Sequence, residues 1–237
     1  MEPPGGRYAS ARCNDYRGTM SKRTIGLSDE LHAYVVAHSA APDSLVAELI
    51  AETQKQVPDF ADFQIAPEQA PFMTLMTQII GVRQAVEIGT FTGLSALAIA
   101  RGLPDGGKLV CCDISEEFTN IAQRYWARAG VADRIQLRLG PAIETLRAMP
   151  DDPHIDLAFI DADKAGYPDY WAEIVPRVRP GGVILIDNVL RGGRIVLPPT
   201  TADDATMAEF NDIVVADKRV TSMIVPIADG VTLARKI

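Results

Sequence analysis

The sequence predicts an α/β protein with a mostly parallel sheet, an antiparallel hairpin at one sheet edge and a cap of N-terminal helices. From residue 85 onward, short apolar strand-like runs alternate with amphipathic stretches of helical period. Strands separated by helices pair in parallel through right-handed crossovers. Near the C-terminus two strand-like runs are joined only by Ala228, Asp229 and Gly230, which indicates a hairpin.

Three amphipathic helices are predicted before the sheet. They begin after the N-cap Ser28, at Asp43 or Ser44, and at Pro67, and Gly81 ends the third. We expect residues 1–19 to be a flexible leader, with Met20 as an alternative start, and residues 20–237 to form a single domain.

The predicted sheet follows in chain order. Its parallel strands are Ala85–Ile88, Leu109–Asp113, Ile135–Leu139, Leu157–Ile160 and Val183–Ile186. Helices lie between them near Leu94–Arg101, Glu116–Ala129, Ala142–Met149 and Tyr167–Val178. A last helix near Ala205–Ala216 precedes the hairpin strands Val220–Pro226 and Gly230–Arg235. In such a doubly wound sheet the fourth and fifth strands are neighbours, and ligands bind beyond the carboxyl ends of the strands.

Composition excludes several classes of function. The chain has 237 residues, of which 47% are hydrophobic, so it can bury a core and is not a disordered protein. Its net charge of −8 disfavours nucleic acid and anionic membrane surfaces as partners. Without a membrane-spanning run or a signal-peptide core, the sequence favours a cytoplasmic location.

The cysteines and histidines lack the spacing of a disulfide framework or a zinc site. We expect reduced thiols, with the two adjacent cysteines pointing to opposite faces of a strand, and histidines without a ligand role. These residues are Cys13, Cys111, Cys112, His32, His38 and His154.

A glycine turn, EIGTFTG, ends the first predicted strand. A dinucleotide fold requires Gly-x-Gly-x-x-Gly, but counting from Gly89 the other two glycine positions hold Phe91 and Leu94. Glu87 would also repel a phosphate, whereas Asp113, at the end of the second strand, can accept both ribose hydroxyls. The joint pattern favours S-adenosylmethionine, a phosphate-free nucleoside with positive charge, although a tight turn and a helix cap would explain Gly89 and Asp113 singly.

Oxygen ligands follow the fourth and fifth predicted strands. Asp161, Asp187 and Asn188 together suit a hard divalent cation, magnesium first and calcium or manganese as alternatives. Helix capping would explain Asp161 alone but not the Asp-Asn pair. Lys164 would ordinarily be a solvated surface residue, but beside a metal in a dry pocket it could act as a base.

These motifs resemble the metal-dependent class I O-methyltransferases, the family of catechol and caffeoyl-CoA O-methyltransferases, and most of all small bacterial members of secondary metabolism. The segments that carry the resemblance, from about Ala66 to the C-terminus, are VEIGTFTGLSALAIA, CCDIS, RAGVADRIQLRLGPA, FIDADK, RPGGVILIDNVL and IADGVTLARK. The resemblance implies a Rossmann-like fold with seven strands, a homodimer, and S-adenosylmethionine with a divalent cation as cofactors. It implies methylation of one hydroxyl of a catechol-containing small molecule.

The resemblance also implies roles for individual residues. Ser95 would contact the methionine carboxylate, Ala142 the adenine, and Lys164, with Asp161 beside it, would be catalytic. The implied cofactor-binding residues are Ile65, Glu87, Gly89, Thr90, Ser95, Asp113, Ala142 and Asp161, and the implied metal ligands are Asp161, Asp187 and Asn188.

Arg191 departs from the family pattern, since many relatives have Trp after the corresponding leucine. One hypothesis places Arg191 over an acceptor that bears an acidic group; the alternative turns it to solvent or to a dimer partner. Two further classes of function stay open. A nicotinamide-dependent oxidoreductase is disfavoured by Phe91 and Leu94, and a non-catalytic S-adenosylmethionine-binding module by the metal set.

Overall fold

The computed structural model describes residues 26–237, and the chain divides after His38 into two compact units. In the first unit, α1 (Asp29–Ala37) begins after Ser28, whose side chain accepts a hydrogen bond from the Leu31 amide. The predictions made for residues 1–19, Met20 and Cys13 lie outside the described residues, and the single-domain assignment stays a prediction.

The second unit, Ser39–Ile237, contains a seven-stranded sheet in the order β3-β2-β1-β4-β5-β7-β6. The strands are β1 (Gln84–Ile88), β2 (Lys108–Asp113), β3 (Ile135–Leu139), β4 (Ile155–Ile160), β5 (Val178–Ile186), β6 (Val220–Val225) and β7 (Val231–Lys236). All pairings are parallel except those of β7 with β5 and β6. The predicted fold class, with its edge hairpin, is therefore confirmed.

Helices cover both faces of this sheet. They are α2 (Ser44–Gln56), α3 (Gln69–Ile80), α4 (Leu94–Gly102), α5 (Glu116–Arg128), α6 (Ala142–Ala148), α7 (Tyr167–Arg177) and α8 (Ala202–Ala216). One buried cluster packs helices α2, α3, α4 and α5 against one face of the sheet. A second cluster packs α6, α7 and α8 against the other face. Cys111 belongs to the first cluster and Cys112 to the second, as the alternation along β2 predicts. No helix within residues 26–237 is long and apolar enough to cross a membrane.

The structure moves several predicted boundaries by one to three residues and that of β5 by five. β5 begins at Val178 instead of Val183, and the strand continues through Pro180 and Gly181, whose φ is +81°. Proline and glycine normally interrupt a strand, but the pairing register with β4 shifts at this point and accommodates them as an irregularity. α3 begins at Gln69, two residues after the predicted Pro67.

The order of the strands brings the predicted site residues to one sheet edge. β4 lies between β1 and β5, and Ile160 is in register with both Ile88 and Ile186. The residues that follow these three strand ends, Gly89, Asp161 and Asp187, therefore leave the sheet side by side.

Candidate active site

A cleft of about 1160 Å³ opens beyond the carboxyl ends of the strands. This exceeds the roughly 300–1,000 Å³ of a site for one drug-sized ligand. All but one of the predicted site residues line the cleft. They are Ile65, Gly89, Thr90, Ser95, Asp113, Ala142, Asp161, Lys164, Asp187 and Asn188.

Gly89 is needed where the turn after β1 meets the end of β4. Its φ is +86°, and a Cβ built on it would lie 1.9 Å from the carbonyl oxygen of Asp161. The Asp161 amide in turn donates a hydrogen bond to the Ile88 carbonyl over 2.8 Å. Only a residue without a side chain allows the two backbones to approach this closely.

The Asp113 carboxylate holds the glycine turn in place. Its Oδ2 accepts hydrogen bonds from the amides of Thr90 and Phe91, both at 2.8 Å, and Oδ1 accepts one from Ser115 at 2.7 Å. The cap of α5 is a different residue, because the Ser115 side chain accepts from the Phe118 amide. Asp113 is therefore a loop anchor that also lines the cleft, and helix capping does not explain it.

Glu87 is the predicted site residue that does not line the cleft. It is fully buried and faces Cys111 of β2 and Phe159 of β4 across the sheet. Within the part of the chain that the structure describes, neither carboxylate oxygen has a hydrogen-bond partner. This burial raises the pKa of Glu87 to about 8, which favours the protonated side chain at neutral pH.

Asp161, Asp187 and Asn188, which follow β4 and β5, are called the oxygen set here. Two of its members contact the ammonium group of Lys164. The Lys164 Nζ donates to Asp161 Oδ1 at 3.1 Å and to Asn188 Oδ1 at 2.7 Å. It also contacts the Ala162 carbonyl at 3.0 Å and the Tyr167 hydroxyl at 2.7 Å. The lysine is thus not a solvated surface residue, since only 10% of its side chain is exposed.

The two carboxylates of this set are costly to ionise together. Burial raises the pKa of Asp161, and the ammonium of Lys164 opposes that shift. Burial, followed by repulsion from Asp161, also raises the pKa of Asp187. Within residues 26–237, no three Asp, Glu, His or Cys side chains form a metal-binding group. The candidate cation ligands are instead two carboxylates, Asp161 and Asp187, and the side-chain amide of Asn188.

Two residues at the oxygen set were missed by sequence analysis. Gln69 is buried, and its Nε2 donates to Asp187 Oδ2 at 2.7 Å, while its Oε1 accepts from the Ala66 amide at 3.0 Å. Tyr167 is fully buried, and its hydroxyl lies 3.3 Å from the Asp187 carbonyl oxygen. Neither has a sequence signal, because each resembles an ordinary helix residue.

Aromatic rings line the side of the cleft near the glycine turn. Phe91 lies 4.9 Å from Phe118 and 6.1 Å from Phe63, measured between ring centroids. Sequence analysis used Phe91 only to exclude a dinucleotide, whereas the structure makes its ring part of an apolar wall. A flat nucleoside or acceptor ring can pack against such a wall.

A family model for O-methyltransferases matches residues 36–237. The chain is 40% identical over 209 residues to the Dictyostelium discoideum protein named "Probable caffeoyl-CoA O-methyltransferase 2", covering 86% of this chain and 90% of that protein.

Two solved structures are also similar. The O-methyltransferase from Bacillus cereus in complex with SAH has a TM-score of 0.79 and 30% identity, covering 88% of this chain and 97% of that one. The O-methyltransferase TomG from Streptomyces achromogenes, involved in tomaymycin synthesis and solved with SAM, has a TM-score of 0.79 and 27% identity, covering 87% and 96%.

The close contact at Gly89 can be tested against a matched glycine. Gly81 has a similar φ of +69° but nothing within 4 Å of a built Cβ. Gly81→Ala should cost about 1–2 kcal/mol of unfolding free energy from backbone strain alone. Gly89→Ala should cost about 1–3 kcal/mol more, because its Cβ overlaps backbone that must shift. Urea unfolding of both variants measures this, and equal losses would refute the contact.

The protonated state of Glu87 predicts a pH dependence of stability. Between its ordinary pKa of 4.5 and the folded value of about 8, the unfolded chain ionises Glu87 while the folded chain keeps the proton. This group therefore lowers stability as pH rises, by up to about 1.4 kcal/mol per pH unit. Glu87→Gln removes the effect. In urea unfolding at several pH values, the unfolding free energy of the variant should therefore increase relative to that of wild type as pH rises. Parallel pH profiles would mean that Glu87 is ionised.

Proposed function

The chain belongs to the O-methyltransferase family and is an S-adenosylmethionine-dependent enzyme of the caffeoyl-CoA type, and we propose that it methylates one hydroxyl of a catechol-containing small molecule with a divalent cation as second cofactor. One observation carries the proposal. The oxygens of Asp161 and Asn188 converge on the positive charge of Lys164, beside buried Asp187 and in the same cleft as the glycine turn. Family membership sets aside the oxidoreductase and the non-catalytic module.

The donor set fits a hard divalent cation. Asp161, Asp187 and Asn188 offer oxygen atoms alone, the ligands that magnesium, calcium and manganese prefer. The place between Asp161 and Asn188 already accommodates a positive charge, that of the Lys164 ammonium. When bound there, a divalent cation would polarise and orient the two vicinal hydroxyls of a catechol.

Lys164 is the group that would take the proton from the acceptor hydroxyl. Its Nζ can accept a proton only in the neutral form, so the ammonium would first release a proton to solvent and leave Asp161 and Asn188. The Tyr167 hydroxyl lies 2.7 Å from the same Nζ and can orient it by a hydrogen bond. S-adenosylmethionine, when bound, would supply the methyl group: the acceptor oxyanion would form a bond to its methyl carbon, and the sulfur would keep the electron pair of the bond that breaks.

The cofactor would lie along the glycine turn. Asp113 lines the cleft and accepts from three backbone amides, which leaves about one acceptor site for a ribose hydroxyl. Ser95, the second residue of α4, and Ala142, the first residue of α6, line the same cleft. Burial raises the pKa of Glu87, which comes just before the turn in β1, and so disfavours a negative charge there. The homodimer and the cytoplasmic location remain proposals that follow from the family resemblance and the composition.

Metal dependence is tested with caffeate as acceptor. EDTA should abolish methyl transfer, and magnesium should restore it. Asp187→Asn should lower turnover by about a hundredfold or more, because Lewis-acid stabilisation is worth several kcal/mol. Asp62→Asn, which removes an exposed carboxylate elsewhere along the cleft, is the control and should keep wild-type turnover. Full activity in EDTA would remove the cation from the proposal.

The cofactor role of Asp113 is tested by calorimetry. Asp113→Ala removes a charged acceptor, and hydrogen bonds to charged groups are worth about 1.5–3 kcal/mol, so S-adenosylmethionine should bind about ten- to a hundredfold more weakly. Ser115→Ala removes only the cap of α5 and should leave that affinity unchanged. Similar small losses in both variants would reduce Asp113 to a structural anchor.

A further inference from the structure

Arg191 occupies an unusual position in the cleft. It lies three residues after Asn188, lines the same cleft, and has a φ of +52°. The left-handed region costs a residue with a side chain about 1–2 kcal/mol, and such strain often accompanies function. Its side chain is only 16% exposed, so the alternative in which it turns to solvent is wrong.

A buried carboxylate holds Arg191 in this place. Asp204, in the first turn of α8, is 2% exposed, and its Oδ1 accepts from the Arg191 Nε at 3.2 Å. Arg194 donates to the same carboxylate through Nε at 3.3 Å and Nη2 at 3.2 Å, and Thr200 adds a hydroxyl at 3.0 Å. Two guanidinium groups thus share one buried carboxylate.

Much of the Arg191 guanidinium is left for a ligand. Across residues 26–237, Nε makes the one hydrogen bond of this side chain, and Nη2 lies 3.6 Å from Asp203 Oδ2. A guanidinium has five N–H groups, so those on the two Nη atoms remain available. Asp203 is 53% exposed, so solvent screening makes it a weak counterion for the Arg191 guanidinium.

We propose that Arg191 is a specificity-determining residue that binds an anionic group of the acceptor, and that Asp204 is its positioning residue. The proposal rests on the proposed methylation of catechols and adds the acceptor class, namely catechols that carry a carboxylate. A planar guanidinium held at Nε presents its Nη edge as a fork, which matches a carboxylate in a bidentate pair. A catechol with an ammonium group would be repelled at the same place.

The experiment compares two acceptors of nearly equal shape, caffeate and its neutral amide. The measured quantity is the ratio of their kcat/KM values in wild type, Arg191→Gln, Arg191→Lys and Arg194→Gln. Arg194 is the matched control, because its guanidinium binds the same Asp204 carboxylate but is not among the groups that line the cleft. Calorimetry with S-adenosylmethionine verifies that each variant is folded.

Wild type should prefer caffeate, and Arg191→Gln should reduce the preference about ten- to a hundredfold, the value of a hydrogen-bonded ion pair. The loss should appear in KM, because a carboxylate distant from the reacting hydroxyl is bound equally in the ground and transition states. Arg191→Lys should lose part of the preference, since the charge remains and the fork does not. Arg194→Gln should keep the wild-type ratio.

Several results would overturn the inference. A wild type that favours the amide, an unchanged ratio in Arg191→Gln, or an equal loss in Arg194→Gln would each do so. If Arg191→Gln fails to bind S-adenosylmethionine, the test passes to Arg191→Lys. A ratio of kcat/KM values in Arg191→Lys that equals that of wild type would then contradict the inference. Failure of the proposed function is distinct, because then neither acceptor is methylated even by wild type.

Discussion

Two carboxylates at neighbouring strand ends, the buried Asp187 and the partly buried Asp161, impose the main constraint on this site. β4 and β5 run parallel and in register up to Ile160 and Ile186, so Asp161 and Asp187 must leave the sheet together. Burial and mutual repulsion make the ionised pair unfavourable unless a positive charge lies between the strand ends. Lys164 supplies that charge. The side chain of Gln69 and the backbone N–H of Asn188 each donate a hydrogen bond to one oxygen of the Asp187 carboxylate. The surrounding residues are arranged to satisfy this pair.

The glycine turn is joined to the same place through backbone atoms. Gly89 packs against the Asp161 carbonyl, and the Asp161 amide is hydrogen-bonded to Ile88. The surface proposed to hold the cofactor and the one proposed to hold the acceptor therefore share one rigid junction rather than a flexible loop. Methyl transfer benefits directly, because correct orientation of two reactants can contribute about 7–11 kcal/mol to a reaction.

Local patterns predicted the fold and much of the cleft, whereas contacts distant in sequence escaped them. Alternating strands and helices fix the parallel order, and parallel order places Asp113, Asp161 and Asp187 at one edge. The contact between Gln69 and Asp187 spans 118 residues and depends on how α3 packs, which no period reveals. Pairing of Arg191 with the first turn of α8 was hidden in the same way, since it needs the conformation of the intervening loop.

The most direct measurement is a calorimetric titration of magnesium into the chain saturated with S-adenosylhomocysteine, without acceptor. Wild type should bind one ion, and Asp161→Asn, which keeps the shape of the side chain but removes its charge, should bind it at least about tenfold more weakly. Such a loss would show that the oxygens around Lys164 are a cation site. Absence of binding in wild type, or undiminished binding in Asp161→Asn, would contradict it.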